Sequence, residues 1–213
     1  MLTVNEIFHS IQGESSHAGR PCVFVRLSGC DLRCRWCDTP YAFHEGVRRT
    51  VDDVVREVEA TGCPLVEITG GEPLLQADVY PLMEALLARG HTVLLETGGH
   101  RGTGQVPAPV VVVLDVKCPG SGEAERQDWS NLERLRPHDE VKFVVADRQD
   151  YDYAADVIAR YRLLERAAAV HLSPVHGGLD PRVLSEWVLA DRLAVRVQLQ
   201  LHKYIWGADV RGV

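Results

Sequence analysis

The chain has 213 residues, of which 46% are hydrophobic and 25% charged, with a formal net charge of −7. These proportions suit one sizeable core and exclude a low-complexity or disordered chain, while the acidic balance argues against a non-specific nucleic-acid binder. The longest strongly apolar run, Val110–Leu114, is far short of the roughly 20 residues that cross a bilayer, so no membrane partner is expected.

A single domain spanning 1–213 is the simplest organisation, since there is no internal repeat or composition break. The opening stretch MLTVNEIFHSIQGE carries acids and lacks the basic-then-apolar layout of a secretory signal. Six cysteines are unevenly grouped in a chain too large to need a disulfide scaffold. A cytoplasmic protein with reduced thiols is therefore expected. Residues 1–49 hold six basic and five acidic side chains, a local +1 that leaves −8 beyond. That split fits uneven surface charge and equally an anion site near the N-terminal segment.

In chain order, Ile7–Glu14 reads as a strand feeding a loop that ends at Arg20-Pro21. Cys22–Leu27 (CVFVRL) is β-branched and aromatic, and is expected to be the first strand of a sheet. Arg26 within it points to solvent or holds a carboxylate at a cleft. Next comes Gly29–Tyr41 (GCDLRCRWCDTPY), in which Cys30, Cys34 and Cys37 have C-x3-C-x2-C spacing. A short turning loop can aim three such soft thiolates at one iron–sulfur or zinc centre. No fourth cysteine or histidine completes a compact zinc knuckle, and three cysteines on a cubane cluster leave one iron open for a reacting cofactor. The i, i+4, i+7 spacing would also suit a buried helical face, but Gly29, Asp31, Arg33, Arg35, Asp38 and Pro40 do not.

Thr50-Val-Asp-Asp53 resembles a capping box ahead of a helix over Val51–Thr61. Leu65–Thr69 is a strand running into Gly70-Gly71-Glu72-Pro73, Asp78–Arg89 a helix, and Thr92–Thr97 a strand leading to Gly98-Gly99. GGEP alone is either an ordinary strand-to-helix turn or a ligand loop in which glycines admit close backbone approach. Val110–Lys117, Glu140–Val145 and Ala169–Leu172 are further strands, and Asp147–Tyr161 and Pro181–Leu189 further helices. Val195–Leu201 is a last strand or the entry to the tail. The alternation predicts an α/β fold with a mostly parallel sheet and a site at the strand C-terminal ends. A closed eight-unit barrel takes ~250 residues, so a partial, open βα barrel is expected.

The three-cysteine loop with Trp36 before its last cysteine, followed by GGEP, resembles the radical S-adenosylmethionine superfamily. The resemblance implies a [4Fe-4S] cluster on Cys30, Cys34 and Cys37, with Gly71 and Glu72 at the methionine amino end of S-adenosyl-L-methionine. There the cluster's electron cleaves the sulfonium to give a 5′-deoxyadenosyl radical. SIQGE (Ser10–Glu14), GRPCVFVRLSGC (Gly19–Cys30), WCDTPYAF (Trp36–Phe43) and HKYIWG (His202–Gly207) narrow the likeness, over nearly the whole chain, to the 7-carboxy-7-deazaguanine synthase family.

This second resemblance implies a carbon–nitrogen lyase of queuosine and other deazapurine biosynthesis. It contracts 6-carboxy-5,6,7,8-tetrahydropterin to 7-carboxy-7-deazaguanine with loss of ammonia, needs Mg²⁺ and an electron donor protein, and forms a homodimer. By the same likeness Thr39 binds Mg²⁺, and Ile11, Gln12, Gly13, Glu14, Arg26, Thr97 and Val213 contact substrate. Trp36, Cys37, Asp38, Gly99, Cys118, Pro119, Gly120, Ser173, Pro174, Val175 and His176 line the S-adenosylmethionine pocket. Two positions depart from the family pattern: Ser15, where glycine is common after QGE, and Cys118, where serine or glycine is common. A glycyl-radical-enzyme activase and a non-catalytic iron–sulfur or zinc protein share the cysteine spacing and are the alternatives.

Overall fold

Short aliphatic runs separated by helices become the strands of one nine-stranded sheet in a computed structural model that describes Met1–Val213. The strands are β1 (Leu2–Ile11), β2 (Pro21–Leu27), β3 (Val47–Arg49), β4 (Leu65–Gly70), β5 (Thr92–Thr97), β6 (Val111–Asp115), β7 (Glu140–Val145), β8 (Ala169–Pro174) and β9 (Arg196–Val197). Their order is β3-β1-β2-β4-β5-β6-β7-β8-β9. From β2 onward each strand pairs in parallel with its neighbour, and β1 runs antiparallel to both β2 and β3. Successive strands lying side by side wind the chain in one direction, as in a barrel, and β3 and β9 remain separate edges. The fold is the expected α/β class with an open, partial barrel.

The crossovers carry α1 (Val51–Ala60), α2 (Val79–Ala88), α3 (Ser130–Glu133), α4 (Arg148–Arg160), α5 (Leu163–Arg166) and α6 (Pro181–Asp191), and α7 (Leu201–Ile205) follows the last strand. The capping box read at Thr50 is present: the Asp53 N–H donates to Thr50 Oγ1 at 3.1 Å, and the Thr50 N–H to Asp53 Oδ2 at 3.3 Å. One face of the strands and the helices over it form a core of 41 buried residues, including Val66, Ile68, Leu95, Leu114, Val141 and Phe143. Each such side chain contributes about 1.5–3 kcal/mol by leaving water. The alternate positions, Glu67, Thr69, Glu96, Asp115, Lys142 and Val144, turn to the inner face and border a cavity.

Beyond shifts of a residue or two at strand ends and the short helices α3 and α5, the structure differs from expectation in three places. The first strand is β1, which starts at Leu2 and stops at Ile11, leaving Gln12–Glu14 in a loop. β3 escapes sequence reading because three residues with two exposed carry no usable alternation. Val195–Leu201 divides between a two-residue β9 and the start of α7 at Leu201.

Residues 12–20 bridge the open side of the sheet. Gln198 accepts from the Ser15 N–H and donates to the Ser15 carbonyl, both at 2.8 Å, while Glu140 at the start of β7 accepts from the Ser16 N–H at 2.9 Å. Held this way, Ser15 has φ of +61°. That left-handed conformation costs a glycine little and strains a residue with a Cβ, so the two clamps hold Ser15 where a glycine would sit freely.

Candidate active site

A cavity of about 700 Å³ opens at the C-terminal ends of the parallel strands. The loop after β2 forms one wall. Its backbone is anchored where the Gly29 N–H donates to the Ala42 carbonyl at 2.8 Å and the Arg35 N–H to the Ser121 carbonyl at 3.0 Å. Cys30, Cys34 and Cys37 are free, half-buried and face the cavity. The turn after β4 lies against this loop without a gap. A Cβ at Gly71 would sit 2.2 Å from the Gly29 carbonyl oxygen and 2.8 Å from Cys30 Cβ, and the Glu72 N–H donates to that carbonyl at 2.8 Å. Only glycine permits this approach.

Glu72 is fully buried at the same corner. Its carboxylate accepts from Thr97 Oγ1 at 2.8 Å, the Gly98 N–H at 2.9 Å and the Leu74 N–H at 3.0 Å. Thr97, expected against substrate, thus spends its hydroxyl on Glu72. On the other side of the loop, Asp31 is held by His100 Nε2 at 2.6 Å and by Arg126 at 3.0 Å. His100 Nδ1 lies 3.7 Å from Glu72 Oε2, so one imidazole spans the cysteine loop and the GGEP turn.

The donor set fits an iron–sulfur cluster. Burial pushes the Cys34 thiol up to about 11, with Lys117 opposing and Asp115 and the other two thiols adding to the rise. Burial also raises Cys30. Thiols raised as Cys30 and Cys34 are need a strongly cationic centre to hold them as thiolates. Three soft, free thiols on one short loop facing a cavity are the ligand type that an iron–sulfur cluster takes. Thr39 precedes a single 3-10 turn, Pro40–Phe43, yet makes no side-chain capping bond to it. Its hydroxyl borders the cavity with Cys37 Sγ, at 4.0 Å, as its hydrogen-bond partner, and is an oxygen of the type a hard cation takes.

The opposite end is an ionic floor. Lys142 on β7 is paired with Glu96 on β5 at 2.8 Å and with Glu14 from the loop after β1. Gln12 Nε2 donates to Glu67 on β4, and Lys117 pairs with Asp115 at 2.8 Å. Burial, with Glu96 and Glu14 nearby, pushes the Glu67 carboxyl well above its ordinary range. Burial likewise raises Glu96. For Glu14 burial acts upward too, but the Lys142 ammonium outweighs it and the carboxyl is lowered. Arg26 donates from Nε to Glu6 at 2.7 Å, with its guanidinium 5.8 Å from the Phe8 ring centroid and 6.0 Å from that of Tyr41. It faces the cavity rather than bulk solvent.

The tail closes the remaining side. The Leu201 N–H donates to the Gly13 carbonyl at 3.0 Å, and Lys203 pairs with Asp38 at 3.1 Å. Arg211 lies 3.6 Å from the Tyr41 ring centroid, and Val213 reaches the cavity.

Of the residues singled out from the sequence, Ile11, Gln12, Glu14, Arg26, Trp36, Asp38, Gly71, Glu72, Thr97, Val175, His176 and Val213 border the cavity with the cysteines and Thr39. Seven do not. Gly13 is packed behind the tail, where a Cβ would sit 2.1 Å from His202 Nδ1. Gly99 is occupied by Gln127 Nε2 and Asn131 Nδ2, which donate to its carbonyl at 2.9 and 3.0 Å. Cys118 is buried in the core beside Pro119, and the Gly120 N–H donates to Asp150 at 2.7 Å. Ser173 and Pro174 are buried in β8. The sequence places Glu96 in ETGG and Asp115 and Lys117 in DVKCPGSG, motifs at strand ends, but gives no individual role to them or to Glu67 and Lys142. Their signal was an ionisable residue inside an apolar strand, as in LVEIT and EVKFVV, whose burial demands a partner.

The Radical SAM superfamily matches residues 24–112. The chain is 46% identical over 227 residues to a 7-carboxy-7-deazaguanine synthase of Koribacter versatilis, with 100% of each chain covered. It is 49% identical over 219 residues to one of Chlorobaculum tepidum, covering 100% of this chain and 97% of that protein. Its fold is similar to the crystal structure of QueE from Escherichia coli, with a TM-score of 0.78 at 24% identity and 94% of both chains covered.

Two expectations test this geometry. Gly71→Ala should displace the cysteine loop, because the atoms it strikes are backbone and Cys30 itself; a loss of about 1–3 kcal/mol in urea unfolding of the apoprotein and lower iron content after reconstitution are expected. Glu67 binds its proton more tightly folded than unfolded, so its contribution is complete below the ordinary glutamate range and declines as pH rises above it. Unfolding free energy of the apoprotein measured from about pH 5 to about pH 8 should therefore fall less in Glu67→Gln than in the unsubstituted protein, by up to about 1.4 kcal/mol per pH unit while Glu67 remains protonated.

Proposed function

This chain belongs to the 7-carboxy-7-deazaguanine synthase family within the radical S-adenosylmethionine enzymes, and on that premise we propose how its cavity is used. The activity is that of a carbon–nitrogen lyase, the contraction of 6-carboxy-5,6,7,8-tetrahydropterin to 7-carboxy-7-deazaguanine with release of ammonia. The observation that carries the residue-level reading is that three free thiols, the GGEP turn and a floor of paired charges meet in one cavity.

Cys30, Cys34 and Cys37 are assigned to the [4Fe-4S] cluster and Thr39 to Mg²⁺. Trp36, Asp38, Gly71, Val175 and His176 border the S-adenosylmethionine end. Glu72, bonded to Thr97 and Gly98, has its carboxyl group held in one orientation there, and Thr97 borders the cavity beside it. When bound, the cluster and S-adenosylmethionine supply the one-electron chemistry of ring contraction, and Mg²⁺ supplies positive charge beside the substrate carboxylate. The chain's own contribution is to bind, orient and exclude water. Gln12 and Glu14 offer amide and carboxylate groups to the donor and acceptor edge of the pterin. Arg26, within cation–π reach of the Phe8 and Tyr41 rings, offers its free guanidinium nitrogens to a carboxylate, since only Nε is committed to Glu6. The Val213 terminus lies within reach of the same space.

The one contiguous core supports a single domain over 1–213. Six free thiols favour a reducing cytoplasmic setting, and no helix is long and apolar enough to cross a membrane. Exposed Leu199, Tyr204, Ile205, Trp206 and Val210 on the tail support a homodimer. An electron donor protein completes the set of partners.

The test is an anaerobic assay of the reconstituted protein with the carboxypterin, S-adenosylmethionine, Mg²⁺ and a reductant, without any protein substrate. Deazaguanine acid and ammonia should form in equal amounts. Thr39→Ala should retain its iron but need roughly tenfold more Mg²⁺ for half-maximal rate, the equivalent of losing one neutral ligand; an unchanged metal response removes Thr39 from the Mg²⁺ site.

A further inference from the structure

We propose that Lys142 is a positioning residue for the substrate end of this cavity: its single ammonium group fixes the Glu14 carboxylate against that of Glu96, and so sets the polar edge offered to the pterin. The inference rests on the functional reading above and extends it to a residue that does not belong to the cofactor loops.

Lys142 stands on the inner face of β7, between Val141 and Phe143, which point into the core. Its side chain is only 6% exposed, yet it carries a charge, and the structure surrounds it with acids from three other elements. Glu96 on β5 lies 2.8 Å away, Glu14 is paired with it directly, and Asp115 on β6 acts on it from further off. Glu67 on β4 is nearby but is engaged by Gln12, and Asp115 is engaged by Lys117.

Glu14 is the member with least support of its own. It sits in the loop after β1, outside any strand ladder. Gln200 Nε2 donates to one of its carboxylate oxygens at 3.0 Å, and Lys142 takes the other. Removing the ammonium would leave Glu14 and Glu96 as neighbouring half-buried carboxylates with no cation between them. Such a pair must separate or take up a proton, and either change alters what Glu14 presents. Burying an ammonium is costly unless its partners are fixed, which is the reason to expect a defined position rather than mere charge balance.

None of the hydrogen bonds or ion pairs of Lys142 reaches the three cysteines. Its loss should therefore separate substrate affinity from cluster assembly. The experiment uses anaerobically reconstituted holoenzyme and measures iron content, carboxypterin affinity by calorimetry with S-adenosylmethionine present, and KM and kcat separately. In Lys142→Met, iron content should match the unsubstituted protein while the Kd and KM for carboxypterin rise roughly thirtyfold or more, with kcat reduced less. Lys142→Arg, which keeps the charge, should fall between the two. Pairing Lys142→Met with Glu96→Gln removes the carboxylate repulsion and should recover a measurable part of the affinity, a rescue that a purely structural defect would not give.

Unchanged carboxypterin affinity in Lys142→Met overturns the inference, as does a double variant no tighter than the single. Should Lys142→Met not fold, Lys142→Gln carries the same two outcomes. Failure of the unsubstituted holoenzyme to bind or convert the carboxypterin would overturn the functional reading instead, so the two failures are distinct.

Discussion

The site depends on one backbone contact, the approach of the Gly71 turn to the Gly29–Cys30 peptide. There the Glu72 N–H donates to the Gly29 carbonyl and the Gly71 N–H to the Leu27 carbonyl, at 2.8 and 3.1 Å. Loops at strand ends are ordinarily mobile, and a cluster loop free to move would not hold three thiols in register. Joining it to the next strand's turn makes the wall as rigid as the β2–β4 pairing beneath it. The same contact places Glu72 at the inner corner, and Thr97 and Gly98 from the end of β5 then fix its carboxylate. Three consecutive parallel strands thereby brace one corner.

The cavity floor follows a different logic. Parallel strands covered by helices on one face bury that face with aliphatic side chains, and the opposite face of this sheet carries charge instead. Glu67, Glu96, Asp115 and Lys142 occupy successive strands, with Lys117 just beyond β6. A low-dielectric interior makes such groups expensive alone and strongly coupled together. The result is an acid raised at Glu67, by burial and by the neighbouring Glu96 and Glu14, beside one lowered at Glu14, where the Lys142 ammonium opposes burial. A pterin edge that alternates donors and acceptors is suited to such a surface.

Closure comes from outside the barrel units. The 12–20 loop crosses the open side and is clamped by Gln198 and Glu140, while the tail brings Lys203 to Asp38 and Arg211 to Tyr41. The expected pocket residues that lie elsewhere reflect this arrangement. Gly99 is filled by Gln127 and Asn131, and Cys118 and Ser173 belong to packed strands or their ends.

Much of this was legible in the sequence. The three-cysteine spacing, GGEP, the Thr50 capping box and the strand at Thr92–Thr97 each follow from local chemistry, because turns, caps and alternation are set by neighbours within a few residues. The alternation of strand and helix was enough for an open barrel. Tertiary structure alone decided that β1 runs antiparallel ahead of the first parallel strand, that Thr97 serves Glu72, and that Lys142 meets Glu14 across 128 residues of chain. Those outcomes depend on which strands become neighbours and which face turns inward, and no short window of sequence contains that information.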